Sequence, residues 1–272
     1  MYLEVHFMTD FIIANQKAWD KQAASQQPWS TPVDSQTIEE AKKGNWEIHL
    51  TPTPLNKAWL GDVKGKKILC LASAGGQQAP ILAAVGAIVT VFDLSEKQLA
   101  QDRMVAKRDN LTLTIIQGDM RHLPMLEDNS FDIIFHPISN LYIPDVNPVW
   151  QECFRVLKPQ GRLLSSFFNP VVFVGDREFM DDKEKSPAEN TIIRPRYTMP
   201  FSELDHLSQE QVALKQAKQE AFVFGHSLTD LIGGQIQAGF NIAGFQEDWQ
   251  PNPRFVIDNF LPTFLATLAI KP

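Results

Sequence analysis

Cysteine and long apolar runs are scarce in this chain. Its 272 residues include only Cys70 and Cys153, and neither has a second cysteine nearby. We therefore expect two reduced thiols in the core rather than a disulfide or a metal pair. No uninterrupted apolar run approaches the roughly 18 residues that would span a bilayer, so the sequence predicts no membrane partner.

Positive charge is also in short supply. The formal net charge of −7 disfavours binding to nucleic acid or to an anionic membrane. The opening stretch carries Glu4 and Asp10 and lacks a basic leader, which makes it a poor signal peptide. We predict a cytoplasmic protein.

Two kinds of catalytic motif are missing as well. The six histidines show no paired ligand spacing, so the sequence predicts no metal site. No serine lies in a nucleophile-elbow motif, which disfavours a hydrolase.

Residues 1–65 have a distinct composition, with four of the six tryptophans: Trp19, Trp29, Trp46 and Trp59. Helices are predicted over 10–24 and 35–43. These tryptophans either pack on the main domain or form a lid that offers aromatic surface to a ligand, and the two interpretations are compatible. We predict an N-terminal helical lid over 1–65 and a main domain over 66–272.

From residue 66 onward, apolar runs alternate with helical patterns. Strands are predicted over 67–72, 88–93, 111–117, 131–135, 162–168, 240–248 and 262–270, and helices over 77–85, 95–108, 145–157 and 227–238. An insertion of about 170–226 interrupts this alternation and is predicted to form a cap, with a strand over 192–199 and a polar helix over 202–219. No helix pattern separates the last two strands, so they are expected to pair antiparallel. The sequence predicts an α/β three-layer sandwich, with a seven-stranded, mostly parallel sheet and an antiparallel last strand.

The first two strands form half of a nucleoside-binding unit. Strand 67–72 ends in the small residues of 72–76, which let a ligand lie against the backbone. The second strand ends at Asp93, where a carboxylate accepts hydrogen bonds from ribose hydroxyls. The alternative for Asp93 is a helix N-cap or a surface acid, although Ser95 is the better cap.

These features together resemble the class I S-adenosylmethionine-dependent methyltransferases, closely over 66–169 and more loosely over 227–270. The matching pieces are the turn ending at Gly76, Asp93, Asp119, strand 131–135 and the segment Val156–Leu163. The resemblance implies S-adenosylmethionine as cofactor, S-adenosylhomocysteine as product and a small-molecule substrate. It implies cofactor contacts at Ala72, Ser73, Ala74, Gly76, Asp93, Leu94, Gln98, Asp119 and Met120.

Within that resemblance, Asp119 accepts a hydrogen bond from the adenine amine, and Leu94 and Met120 enclose the ring. The alternative for Asp119 is a simple loop acid. Trp46 is our candidate for a cation–π contact with the sulfonium. Oligomeric state is not predicted.

The turn departs from the family pattern at three positions. Cys70 stands where the family has an acid that orients the turn and, through it, the methionine ammonium group of the cofactor. That role therefore passes to backbone carbonyls of the turn or to a residue elsewhere. Ala72 and Ala74 replace glycines, which requires a negative φ at both positions.

His136 directly follows the fourth strand, where ligands lie in open α/β sheets. A neutral imidazole there would accept a proton from a substrate, so His136 is our candidate catalytic residue. The alternative is a structural hydrogen bond to the loop that Pro137 stiffens. His226 is a second candidate base, with a structural role favoured. The tetrapeptide typical of amine methyltransferases is absent, which disfavours methylation of DNA bases or glutamine.

Two other functions stay open. The segment Ala74–Ala79 imitates a dinucleotide fingerprint, so a nicotinamide-dependent dehydrogenase is an alternative, although the acid after the third strand and the reversed last strand count against it. The altered turn would also suit a non-catalytic sensor of S-adenosylmethionine or an interaction protein.

Overall fold

The computed structural model describes residues 2–175, 195–254 and 256–272. The strands are β1 (Lys67–Leu71), β2 (Ile88–Asp93), β3 (Leu113–Gln117), β4 (Phe131–His136), β5 (Leu157–Phe168), β6 (Phe201–Ser202), β7 (Phe224–Gly225), β8 (Asn241–Asp248) and β9 (Phe264–Ile270). The helices are α1 (Tyr2–Ala24), α2 (Ser35–Lys42), α3 (Lys57–Leu60), α4 (Gln78–Ala84), α5 (Glu96–Asp109), α6 (Asn147–Val156), α7 (Gln209–Ala217) and α8 (Gly234–Gln237). None of these helices is long and apolar enough to cross a membrane.

Seven of the strands form one sheet in the order β3-β2-β1-β4-β5-β9-β8. Strands β1 to β5 pair in parallel, whereas β9 lies antiparallel between β5 and β8. The predicted seven-stranded α/β sheet with a reversed last strand is therefore confirmed. Strands β6 and β7 belong to the insertion and form a separate two-stranded sheet.

Both faces of the large sheet are covered, as the alternation along β1 shows. Ile68 and Cys70 point into one apolar cluster, and Leu69 and Leu71 point into the other; all four are fully buried. Side chains alternate between the faces of a strand, so a strand that is apolar at every position must be covered on both sides. Cys70 and Cys153 are free and buried, as predicted.

The N-terminal segment contributes to the first of these clusters through the fully buried side chains of Ile38, Ile48 and Leu60. It is also bonded to opposite parts of the sheet. The Val33 N–H donates to the Gly76 carbonyl (2.9 Å), and the Thr51 hydroxyl donates to Asp248 (2.7 Å). The segment therefore crosses the carboxyl ends of the strands. The boundary at residue 65 stays a prediction.

The insertion differs most from expectation. Residues 192–194 of the predicted strand over 192–199 lie outside the described residues. The described part, 195–199, forms no strand beyond an isolated bridge between Gly175 and Pro195, so the predicted strand is wrong there. The predicted helix over 202–219 is shorter, because Ser208 and Gln211 form a capping box that starts α7 at Gln209. The predicted helix over 227–238 consists of a π-helical turn, Thr229–Gly233, followed by α8.

Candidate active site

A cavity of about 1770 Å³ lies at the carboxyl ends of β1 to β4. Its floor consists of the residues that follow those strands: 72–74, 93–94, 118–120 and 137–139. The strand order reverses between β1 and β4, and such switch points are where open α/β sheets bind ligands.

Asp93 lies at the tip of β2 and lines the cavity. One carboxylate oxygen accepts from the Ser95 N–H (2.9 Å) and the other from the Ala74 N–H (3.2 Å). Burial raises the pKa of this carboxyl to about 6. The helix cap is Ser95, whose hydroxyl accepts from the Gln98 N–H (3.2 Å), so the N-cap alternative for Asp93 does not apply.

The turn after β1 begins with a residue in the left-handed region. Ala72 has a φ of +47°, and its N–H donates to the Phe92 carbonyl (2.7 Å). The expectation of a negative φ at position 72 is therefore wrong, whereas Ala74 lies outside the positive region. This conformation costs alanine about 1–2 kcal/mol, which the surrounding turn must offset.

Gly76 does not line the cavity. A Cβ at this position would lie 2.9 Å from the Pro32 Cβ and 3.1 Å from Val105, and its φ is +71°. The placement contradicts the expected contact with a ligand. Gly76 instead lets the N-terminal segment and α5 pack closely behind the turn.

Asp102 was missed by the sequence reasoning. It is fully buried in α5, and its carboxylate accepts from the Gly75 N–H (2.9 Å). Burial raises its pKa to about 7, while the N–H groups of Gly75 and Gly76 act in the opposite direction. The available signal was its position between Leu99 and Ala106, at helical spacing on the buried side of α5.

Two buried polar atoms are left without partners beside the cavity. Among the residues described, neither the Ser73 hydroxyl nor the Gln98 carbonyl oxygen has a hydrogen-bond partner. Both residues line the cavity. Buried polar groups are nearly always bonded, so the unpartnered Ser73 hydroxyl fits a polar ligand beside the turn. The Gln98 oxygen instead lies against Gly75, 2.8 Å from where a Cβ of that residue would stand.

Comparison with known proteins identifies the family. A methyltransferase-domain family matches residues 69–165. The chain is 45% identical over 265 residues to the uncharacterized methyltransferase YbaJ of Bacillus subtilis, covering 97% of this chain and 100% of that protein. This chain belongs to the class I S-adenosylmethionine-dependent methyltransferases.

Two further likenesses agree with this assignment. The methyltransferase is 27% identical over 155 residues to a ubiquinone biosynthesis O-methyltransferase of Glaesserella parasuis, covering 50% of this chain and 65% of that one. Its fold matches the crystal structure of an S-adenosylmethionine-dependent methyltransferase from Mesorhizobium loti with a TM-score of 0.59, at 20% identity, over 79% of this chain and 95% of that chain.

The residues of this methyltransferase fit its cofactor. Asp93 offers carboxylate oxygens for ribose hydroxyls, and the Ser73 hydroxyl offers an unused polar atom beside the turn. Leu94 and Met120 line the cavity where the purine is expected. Gln98 lines it too, although its amide nitrogen already donates to Ser30.

Asp119 also lines the cavity, but it has a partner that the sequence did not predict. Its oxygens accept from the Arg121 guanidinium at 3.0 Å (Nε) and 2.6 Å (Nη2). A hydrogen bond from the adenine amine must therefore share this carboxylate with an arginine. That role stays a prediction.

His136 does not reach the cavity. Its side chain is fully buried, its Nδ1 lies 3.0 Å from the Leu71 carbonyl oxygen, and its ring packs edge-to-face against Trp150 at 6.0 Å. Burial lowers the pKa of the imidazole to about 4. This placement contradicts the catalytic role, because His136 shares the face of Ile134, two residues earlier, which packs toward α6. It favours a structural role, although the observed partner of Nδ1 is Leu71 of β1 rather than the loop that Pro137 stiffens. His226 is buried as well, with Nε2 2.9 Å from the Asn140 carbonyl oxygen.

We expect His136 to stay neutral throughout the physiological range. Its folded-state pKa lies below the ordinary value of 6.5, so its contribution to stability is complete above that value and is lost as the pH falls toward 4. NMR titration of the imidazole should show a midpoint well below pH 6. A midpoint between 6 and 7 would contradict the buried placement.

Three of the four N-terminal tryptophans line the cavity: Trp19, Trp29 and Trp46. Trp59 instead packs against the first core cluster. The Lys57 ammonium lies 4.2 Å from the centroid of the Trp46 ring, so one cation already contacts that ring. The proposed sulfonium contact of Trp46 stays a prediction.

Asn15 connects two parts of the cavity wall by hydrogen bonds. Its amide nitrogen donates to the carbonyls of Tyr142 (2.9 Å) and Phe222 (3.1 Å), and its oxygen accepts from the Phe222 N–H (2.7 Å). The side chain is 2% exposed. One buried residue of α1 thus joins the turn after β4 to the insertion, a link that nothing in the sequence signalled.

Within the described residues, no group of three or more histidine, cysteine, aspartate or glutamate side chains is arranged to hold a metal ion.

Proposed function

We propose that this methyltransferase acts on a small, largely apolar molecule in the cytoplasm and does not act on nucleic acid. The observation that carries the proposal is the wall away from Asp93, which is mostly apolar. It is lined by Leu141, Tyr142, Phe168, Val172, Phe173, Val223 and Phe264. Small-molecule sites are typically concave and apolar, with few polar groups.

The size of the cavity supports a second ligand beside the cofactor. Its volume of about 1770 Å³ exceeds the range of about 300–1,000 Å³ that is usual for one ligand. The cavity therefore has room for both S-adenosylmethionine and an acceptor.

The charge of the cavity supports the exclusion of nucleic acid. Among the described lining residues, the permanent cations are Lys57 and Arg254 only. Five lining residues carry carboxylates: Asp34, Glu40, Glu47, Asp93 and Asp119. Binding of a phosphate backbone requires clustered cations. The O-methyltransferase of ubiquinone biosynthesis is a relative whose name also points to small-molecule metabolism.

The residues at the strand tips have separate proposed roles. Asp93 holds the ribose hydroxyls, and the turn 72–74 lies along the methionine end of the cofactor. Leu94, Met120 and Asp119 form the purine end.

When bound, S-adenosylmethionine supplies an electrophilic methyl group on a sulfonium. The residues of the chain orient the acceptor for in-line attack and exclude water, which is worth about 7–11 kcal/mol in favourable cases. With His136 outside the cavity, we assign no base. An uncharged acceptor would form its new bond to the methyl group as the bond from that methyl to sulfur breaks, would become cationic, and would then lose its proton to solvent water.

The geometry of the turn disfavours the dehydrogenase alternative. In dinucleotide-binding turns, backbone N–H groups must face the pyrophosphate. Here the Gly75 N–H is bonded to the Asp102 carboxylate, which would also repel a pyrophosphate.

Methyl-labelled S-adenosylmethionine tests the proposal. Incubation with a cell extract separated into small-molecule, nucleic-acid and protein fractions should place label in the small-molecule fraction and in organic-extractable material. Label in nucleic acid or protein would contradict the proposed substrate class. Binding of S-adenosylhomocysteine without transfer to any fraction would favour the sensor alternative.

A further inference from the structure

The turn after β1 is held by two carboxylates. The Ala74 N–H donates to Asp93 (3.2 Å), and the Gly75 N–H donates to Asp102 (2.9 Å). Asp93 lines the cavity, whereas Asp102 is fully buried and approaches the turn from α5. One carboxylate therefore holds the backbone of the turn from the cavity side, and the other holds it from the side of α5.

The conformation of the turn creates the need for the second carboxylate. Gly75 and Gly76 have φ values of +118° and +71°. In this conformation the N–H groups of Gly75 and Gly76 both act on the Asp102 carboxylate, on the side of the turn away from Asp93. A buried N–H left without an acceptor costs about 1–3 kcal/mol, so the turn would rearrange if no anion filled this position.

Asp102 has no competing partner among the described residues. Its second carboxylate oxygen is buried and unbonded there. Cys70 belongs to the same core cluster as Leu99 and Val105, which flank Asp102 on the buried side of α5. Asp102 therefore faces the core cluster that contains the position in β1 where this chain lacks an acid.

We propose that Asp102 is a positioning residue for the methionine end of the cofactor. It fixes the turn 74–76 from behind and thereby sets the backbone against which that end lies. The inference rests on the proposed function, since it places the methionine end along this turn. Asp102 does not contact the cavity, so its effect passes entirely through the turn.

Calorimetry with two ligands separates this role from a general structural one. Adenosine has the purine and the ribose of S-adenosylhomocysteine but lacks the methionine end. Asp102→Ala should weaken binding of S-adenosylhomocysteine by at least about tenfold and change adenosine binding by less than about threefold. Asp102→Asn keeps an acceptor for the Gly75 N–H and should stay within about threefold of the wild type for both ligands.

Equal affinity of the wild type and Asp102→Ala for S-adenosylhomocysteine would overturn the inference. An equal loss of affinity for S-adenosylhomocysteine and for adenosine would also overturn it, because such a loss indicates general unfolding of the site. If Asp102→Ala does not fold, a double variant that carries both Cys70→Asp and Asp102→Ala is the second test. Its new acid in β1 should restore folding and binding of S-adenosylhomocysteine. A double variant that restores neither would count against the proposal. A wild type that does not bind S-adenosylhomocysteine would contradict the proposed function instead.

Discussion

Replacing Asp93 by alanine is expected to weaken binding of S-adenosylhomocysteine, and equally of adenosine, by at least about tenfold. The variant removes the proposed ribose acceptor. It also leaves the N–H groups of Ala74 and Ser95 without their present partner. Isothermal titration calorimetry of both ligands measures the effect.

Glu96→Ala is the matched control for Asp93→Ala. It removes the same charge three residues later, from an exposed side chain that pairs with Arg103 and does not line the cavity. We expect wild-type affinity from this control. An unchanged dissociation constant in Asp93→Ala would show that the ribose assignment is wrong.

The second large effect is expected at Asn15. Replacement by alanine breaks three hydrogen bonds, one to Tyr142 and two buried ones to Phe222, and removes the Asn15 partner of the Phe222 N–H and carbonyl groups. The free energy of unfolding should fall by about 2–4 kcal/mol. Thermal or denaturant unfolding measures this loss.

Lys17→Ala provides the control, since this side chain is exposed on the same helix. Its effect should stay within about 0.5 kcal/mol of zero. If Asn15→Ala is as stable as Lys17→Ala, the link between α1, the turn after β4 and the insertion does not hold the wall together.

The sheet could be predicted from the sequence because its strands are buried on both faces. Runs such as those of β1 and β4 are apolar at nearly every position, and turn residues separate them from the helices. The residues that follow strand tips could be predicted for the same reason, since the carboxyl ends of parallel strands meet at one edge. Asp93 was predicted in this way and lines the cavity, as do Leu94 and Met120, which the family resemblance implied.

His136 shows the limit of that reasoning. Being next to a strand tip fixes where a residue lies but not which face its side chain takes, and a shift of one position reverses the face. His136 lies two residues after Ile134 in β4, so both side chains are on the same face of the strand and point into the core. Asp102 and Asn15 were missed because their partners are 27 and 207 residues away in the chain, and a single sequence does not encode such pairings locally.

The bond between the N-terminal segment and Asp248 bears on how the protein is synthesised. Thr51 and Thr53 are translated early, yet the acceptor of their hydroxyls lies 197 and 195 residues later. Domains fold on the ribosome as their chain emerges, and apolar surface exposed meanwhile favours aggregation. The hydrogen bonds of Thr51 and Thr53 therefore form only after β8 has been synthesised, so this part of the tryptophan-rich segment completes its native contacts late in translation.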